Sequence, residues 1–235
     1  MLTIDAGLSR LHARPPCAFP QDFSKTAWIP VILATLERLG MWKARKFHRR
    51  VHLMIDWEKL ISLEGPAVWW AAYRLVRNQA DADECFQETF VAALAVAERE
   101  AVKNWPALLH RLATHRAIDH LRKRLRRRKR EEVADIALAP ATDAAPSAHA
   151  EAAELAAELR WALAQLPPRE AEVFCLHELG DWTYAQIADE LSTTANAIGV
   201  LLHRTRHKLR QLLDRQTSCA ERDTTNRRRR SKPDV

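Results

Sequence analysis

Apolar residues recur at the three- to four-residue spacing of an amphipathic helix in two separate stretches of this chain. The first stretch covers residues 54–130, and the second covers residues 154–215. Between them, residues 131–153 are rich in Ala, Pro and acidic residues, a composition typical of a flexible linker. Only 5 glycines occur among the 235 residues, which also favours helix. The sequence therefore predicts an all-α protein with two small helical domains joined by a flexible linker.

The charge of the chain is unevenly distributed. The formal net charge is +7, but residues 99–130 alone carry +10. This basic block lies between residues 54–98, which carry −5, and residues 131–160, which carry −6. A concentrated basic block between acidic ones indicates a localised site for a polyanion, with nucleic acid as the first candidate.

The two ends of the chain do not share the helical pattern. Residues 1–53 carry +6 and form an N-terminal extension with two interpretations. They are either an appended segment, ordered or disordered, or a stretch upstream of a later start at Met54 or Met41. Residues 216–235 predict a basic, disordered tail.

Several classes of function have no support in the sequence. The start of the chain lacks the pattern of a signal peptide, and no apolar run is long enough for a bilayer. The four cysteines are scattered, which is typical of a reduced cytoplasmic protein. His203 and His207 lie one helical turn apart but lack the flanking pattern of a zinc site. We therefore expect no metal, no cofactor, no small-molecule substrate and no catalytic residues.

Local signals predict where individual helices begin and end. In the first domain we expect a helix over residues 58–77 that is broken near Gly65 and Pro66. Asp81 is the expected N-cap of the next helix, and a third helix should begin near Trp105.

In the second domain, Thr183 and Gln186 have the spacing of a capping box. Residues 192–194 predict a short polar turn before a long last helix. Two helices joined by so short a turn are typical of a DNA-binding helix-turn-helix.

Five short segments carry a family resemblance. In the first domain they are residues 81–90, DADECFQETF, and residues 117–122, AIDHLR. In the second they are LPPRE at 166–170, YAQIA at 184–188 and VLLHRTR at 200–206. In this order the chain resembles the extracytoplasmic-function (ECF) sigma factors, a subfamily of the bacterial sigma-70 family of RNA polymerase sigma factors. The first set resembles sigma region 2, and the second resembles sigma region 4.

The resemblance implies roles for residues of the first domain. The polar face formed by Glu84, Gln87 and Glu88 should bind core RNA polymerase. The basic helix should contact the −10 promoter element through His115, Asp119, Arg122 and Lys123. The family usually has Arg-Asn where this chain has Thr114 and His115, so the −10 contact should differ from the usual one.

For the second domain, the resemblance implies recognition of the −35 element. The residues expected to contact it are Thr194, Asn196, His203 and Arg204, with His177 near the DNA backbone. Many relatives carry basic or polar residues where this chain has Gly199 and Leu201.

The resulting hypothesis is a cytoplasmic, non-enzymatic sigma factor that binds core RNA polymerase and directs initiation at promoters with matching −10 and −35 elements. An anti-sigma factor is a further possible partner. The alternative is a stand-alone helix-turn-helix regulator whose first domain senses a signal or dimerises. An anti-sigma-like adaptor is a weaker alternative, because it would not need two basic elements that face DNA.

Overall fold

The structure is a computed structural model that describes residues 55–134 and 148–230. These residues form helices joined by short turns and contain no β-strand. None of the described helices has the length and apolar content needed to cross a membrane. In chain order the helices are α1 (Trp57–Val76), α2 (Gln79–Ala97), α3 (Trp105–Ala134), α4 (Ala148–Gln165), α5 (Pro168–Glu178), α6 (Tyr184–Glu190) and α7 (Ala195–Arg230).

Helix α1 runs through Pro66 without interruption, so the predicted break near Gly65 and Pro66 is wrong. A proline inside a helix costs about 3 kcal/mol, because it removes a backbone hydrogen bond and crowds the preceding turn. The next two turns bury Val68, Trp69 and Ala72 in the core. This burial offsets the cost of the proline and keeps the helix continuous.

Helix α2 begins three residues earlier than predicted. Its N-cap is Asn78, whose side-chain oxygen accepts a hydrogen bond from the backbone N–H of Asp81 at 3.0 Å. Asp81 lies in the first turn, where its carboxylate favours the helix dipole but does not cap the helix. The left-handed backbone of Arg77, with φ of 55°, ends α1 and leaves Asn78 in the extended conformation of a cap.

Helix α3 begins at Trp105, as predicted. The Asn104 side chain accepts a hydrogen bond from the backbone N–H of Ala107 at 3.1 Å. The Trp105 ring packs edge-on against the ring of Trp57, with 5.3 Å between the ring centroids. Helices α1, α2 and α3 thus form a three-helix unit, which we call module 1.

Helices α4 to α7 form module 2. The capping box at the start of α6 is present as predicted, with Thr183 and Gln186 satisfying each other's backbone N–H groups. The polar turn at 192–194 follows, and Ser192 adopts a left-handed backbone with φ of 49°. Helices α6 and α7 therefore form the helix-turn-helix that the sequence predicted.

The outer bounds of two helices differ from expectation. Helix α3 extends to Ala134 and α4 begins at Ala148, so only 135–147 of the expected linker lie outside the described residues. Helix α7 continues to Arg230, although a disordered tail was predicted from residue 216. Residues 195–230 contain no proline, and Gly199 is the only glycine, so no backbone signal stops the helix. The expected N-terminal extension, 1–53, lies outside the described residues.

The two modules share one hydrophobic core. Helix α3 packs on α1 and α2 on one side and on α4 and α5 on the other. Buried apolar side chains form a continuous cluster that runs from Phe86 and Ile118 in module 1 to Leu163 and Phe174 in module 2. Helix α3 is consequently the central element of the molecule.

Each module buries one cysteine in this core. Cys85 lies on α2 and Cys175 on α5, and both thiols are free and buried. Burial raises the pKa of each thiol to about 12, because the thiolate would lose its hydration.

Candidate nucleic-acid interface

The acidic side chains of α2 face the basic side chains of α3. Glu84 accepts a hydrogen bond from Nε2 of His120 at 3.1 Å. A carboxylate oxygen of Glu88 lies 3.9 Å from Nε of Arg116, and the other lies 4.0 Å from Nζ of Lys123. The two pairs made by Glu88 are long and partly exposed, so they contribute little stability and can exchange partners readily.

Of the residues expected at the −10 element, Asp119 links His115 and Arg122 on one face of α3, whereas Lys123 lies beside Glu88 of α2. Nδ1 of His115 lies 3.4 Å from a carboxylate oxygen of Asp119, one turn further along. Asp119 in turn pairs with Arg122 at 3.3 Å. Arg122 also donates to the backbone carbonyl of Leu166 in module 2 at 2.9 Å. The structure thus groups these residues, but it engages Arg122 in contact with the other module.

Thr114 is buried and takes no part in this face. Its hydroxyl donates to the backbone carbonyl of His110 at 2.9 Å, one turn earlier on α3. His115 is therefore the one of this residue pair that solvent or DNA can reach, since its side chain is 43% exposed.

Arg111 joins the modules through two carboxylates. One of its terminal nitrogens lies 3.0 Å from the carboxylate of Glu190 on α6 and 3.3 Å from the Glu190 backbone carbonyl. Its Nε lies 3.5 Å from the carboxylate of Glu172 on α5. Burial raises the pKa of both carboxyl groups, and the nearby Arg111 charge opposes that rise. The arginine consequently compensates two carboxylates that lost water when the modules packed.

His110 makes a second contact between the modules. Its ring stacks on the ring of Trp182, with 5.7 Å between centroids. A Cβ on Gly180 would lie 2.7 Å from the His110 ring and 2.6 Å from the carbonyl oxygen of Leu176, so only glycine fits there. Burial, together with the Arg74 charge, lowers the pKa of His110 to about 4. This histidine is therefore neutral at pH 7.

Helix α7 presents a different surface. Thr194 caps the helix, accepting a hydrogen bond from the backbone N–H of Ala197 at 3.2 Å. Asn196, His203 and Arg204 are exposed and make no hydrogen bond or ion pair with other described residues. The opposite face of the helix buries side chains such as Leu202. The exposed polar side chains are thus free to bind a ligand without breaking an internal contact.

His177 is placed differently from the other residues expected at the −35 element. Its Nδ1 donates to the backbone carbonyl of Trp182 at 2.8 Å, and its ring packs edge-on against Tyr184. The ring is half-buried. His177 therefore holds the loop that leads into the helix-turn-helix.

Gly199 and Leu201, where the resemblance implied polar or basic residues, both face inward. A Cβ on Gly199 would lie 3.5 Å from the Tyr184 ring, an ordinary contact. Leu201 is half-buried and packs against the core. Neither residue takes a place on the exposed polar surface.

Arg111, Glu172 and Glu190 were not among the residues that the sequence singled out. One sequence signal was available: Glu172 precedes the apolar run 173–176 on α5. A carboxylate in so apolar a segment needs a charged partner if it is buried, but the partner of Glu172 lies 61 residues away in the sequence.

Family models match both modules. The family model for sigma-70 region 2 matches residues 60–127, and that for sigma-70 region 4 matches residues 156–209. A solved structure of the sigma factor RpoE in complex with the anti-sigma factor NepR from Bartonella quintana matches at 21% identity, with a TM-score of 0.40. That match covers 68% of this chain and 97% of the other.

Two similar curated proteins indicate the family. The ECF RNA polymerase sigma factor SigG of Mycobacterium tuberculosis is 28% identical over 164 residues, which are 58% of this chain and 43% of that protein. The ECF RNA polymerase sigma factor SigE of Mycolicibacterium smegmatis is 30% identical over 213 residues, which are 88% of this chain and 79% of that protein. The protein belongs to the ECF family of RNA polymerase sigma factors.

Proposed function

We propose that the two modules divide the work of a sigma factor, with module 1 binding core RNA polymerase and the −10 element and module 2 binding the −35 element. The observation that carries this proposal is the exposed, unpaired polar face of α7. Recognition helices contact base edges through their N-terminal residues, and Asn196 is the second residue of α7. Asn can pair with adenine and Arg with guanine in the major groove.

The polymerase-binding surface is the face of α2 that carries Glu84, Gln87 and Glu88. Of the two glutamates on this face, Glu84 is the more exposed, with 57% of its side chain accessible to solvent. The pairs that Glu88 makes at present are long and partly exposed, so basic groups of a partner can replace them at little cost. Charged contacts of this kind favour specificity and fast association.

The −10 residues require a rearrangement before they can act. By their names, the −10 and −35 elements lie roughly 25 base pairs apart, which is about 85 Å along B-form DNA. In the structure, Arg111 of α3 contacts Glu190, only five residues before the start of α7. The two DNA-binding helices are thus far too close to reach both elements on straight DNA. We infer that the modules separate when the protein engages polymerase and promoter.

Separation would expose the groups that now join the modules. Arg111 and Arg122 would lose Glu190 and the Leu166 carbonyl and could then bind phosphates. An anti-sigma factor that binds across both modules would favour the closed arrangement. The protein would act in the cytoplasm, where polymerase and promoters are found, and would catalyse no reaction by itself.

The test is co-purification with core RNA polymerase, followed by run-off transcription with the reconstituted holoenzyme. The Glu84→Lys/Glu88→Lys double variant should lose polymerase binding, because it reverses the charge of the docking face. The Asn196→Ala/Arg204→Ala double variant should keep polymerase binding and lose the dependence on the −35 sequence. A protein that binds an operator tightly by itself and never associates with core polymerase would instead be the stand-alone regulator.

A further inference from the structure

Val200 is an exposed apolar residue on the helix that we propose reads the −35 element. It exposes 45% of its surface and lies in the sixth position of α7. In the described part of the chain only one other large apolar side chain is exposed, Leu63 on α1. A single exposed valine needs no explanation on an ordinary surface. The position of Val200 on the recognition helix gives it a different meaning.

The neighbours of Val200 on the helix surface are polar. Residues three and four positions apart lie side by side on a helix, which places Val200 next to Asn196, His203 and Arg204. All three are exposed, whereas Ile198 and Leu202 point into the core. Val200 is therefore an apolar centre within the surface that would face the DNA.

The major groove offers one apolar group for such a side chain. Among the four bases only thymine presents a methyl group there, while the others present hydrogen-bond donors and acceptors. Valine is stiff at χ1, so its two methyl groups are already in place before binding. Asn196 and Val200 are separated by about 6 Å along the helix axis, which is close to two base-pair steps of about 3.4 Å each.

We propose that Val200 contacts the C5-methyl group of a thymine in the −35 element and thereby makes that position specific for thymine. This inference rests on the proposed role of α7. The polar neighbours would bind phosphates and base edges around the same thymine. Val200 would then exclude cytosine and the purines at that position, because their polar edges would lie unpaired against an apolar side chain.

The experiment compares thymine with deoxyuridine, which lacks only the methyl group. Reconstituted holoenzyme is assayed for promoter binding on a promoter from which it initiates. Each thymine of the −35 element, on either strand, is replaced singly. For the wild type, one replacement should weaken binding about three- to fivefold, the effect of one buried methyl group. The Val200→Ala variant should bind the thymine promoter about three- to fivefold more weakly and show no further loss at that position.

Two control variants isolate the contact. Leu63→Ala removes the other exposed apolar side chain and should leave binding unchanged. His203→Ala should weaken binding on both DNAs and keep the wild-type ratio of thymine to deoxyuridine.

The proposal is overturned if no deoxyuridine position depends on Val200, or if the −35 element has no thymine on either strand. Failure of the underlying function looks different: the Asn196→Ala/Arg204→Ala variant would then bind the promoter as the wild type does.

Discussion

Helices α3 and α7 are both long, both carry basic residues and both resemble DNA-binding elements, yet their environments differ. Helix α3 is enclosed by α1, α2, α4 and α5, and the residues expected to face DNA are paired within the protein. Helix α7 buries one face only, and Asn196, His203 and Arg204 remain without internal partners. This arrangement of the modules therefore leaves the surface proposed to bind the −35 element accessible and occupies part of the surface proposed to bind the −10 element.

Whether a helix is free to bind DNA does not follow from how much charge it carries. The segment that contains α3 carries +10, far more than any other part of the chain. Nevertheless Arg111, Arg122 and Lys123 each lie against an acidic or carbonyl partner. A helix can thus be strongly basic and still have to change partners before it binds DNA.

The prediction with the largest expected effect tests whether the two modules, packed on α3, unfold as one cooperative unit. Phe174→Ala should lower the free energy of unfolding by about 3–5 kcal/mol, because it leaves a cavity in the shared core. Urea unfolding followed by circular dichroism and by tryptophan fluorescence should shift as one transition. If module 1 kept its wild-type transition while module 2 unfolded earlier, the two modules would be independent and the contrast would lose its basis.

The second prediction concerns the free surface of α7. The Asn196→Ala/Arg204→Ala variant should bind a −35 element at least about 30-fold more weakly, since it removes two base contacts that are each worth about 1–3 kcal/mol. Its unfolding should match the wild type, because neither side chain has a partner among the described residues. Arg215→Ala is the matched control: it removes the same charge eleven residues further along α7. An equal loss of binding in Arg215→Ala would indicate general electrostatic attraction.

The third prediction addresses the enclosed side of α3. Arg111→Ala should weaken the packing of the modules by about 1–3 kcal/mol, because Glu172 and Glu190 would remain poorly hydrated without a counter-charge. Fluorescence transfer between labels on the two modules should then report greater separation. Lys208→Ala is a fitting control, since its 2.6 Å pair with Glu170 lies within module 2. Equal separation in both variants would contradict a specific role for Arg111.

The smallest expected effect is a pH dependence from His110. Its pKa is lowered from 6.5 to about 4 on folding, so between these values the unfolded chain binds more protons than the folded one. The free energy of unfolding is therefore unaffected by His110 above pH 6.5, and it decreases as the pH falls from 6.5 toward 4. From pH 7 to pH 5 the loss should reach up to about 2 kcal/mol.

Glu172 and Glu190 act in the opposite direction. Their pKa values are raised on folding, so the cost of burying their charge disappears on acidification. Comparison of the wild type with His110→Gln at both pH values separates the two effects, because the variant keeps the carboxyl groups. The same pH slope in both proteins would show that His110 is not the group that titrates.

Local signals predicted much of the fold and little of the contact between the modules. The capping box at Thr183 and the helix start at Trp105 depend on neighbours within three residues, so sequence spacing was sufficient. The break at Pro66 was predicted wrongly, because burial of distant residues outweighed the local cost.

The same distinction between local features and long-range contacts applies to the candidate site. The exposed residues of α7 could be placed by helical periodicity, since one face is apolar and the other polar. The pairing of Arg111 with Glu172 and Glu190 joins residues more than sixty positions apart. Neither helix shows from its own sequence that it meets the other.

The two buried thiols provide built-in reporters of this architecture. Cys85 belongs to module 1 and Cys175 to module 2. A thiol-reactive dye attacks the thiolate, which neither cysteine forms readily while its pKa stays near 12. With Cys17 and Cys219 replaced by serine, the rate of modification at each remaining site would measure how often its own module opens. One chain would thus carry a separate reporter for each half at a natural cysteine, with no new cysteine introduced by mutation.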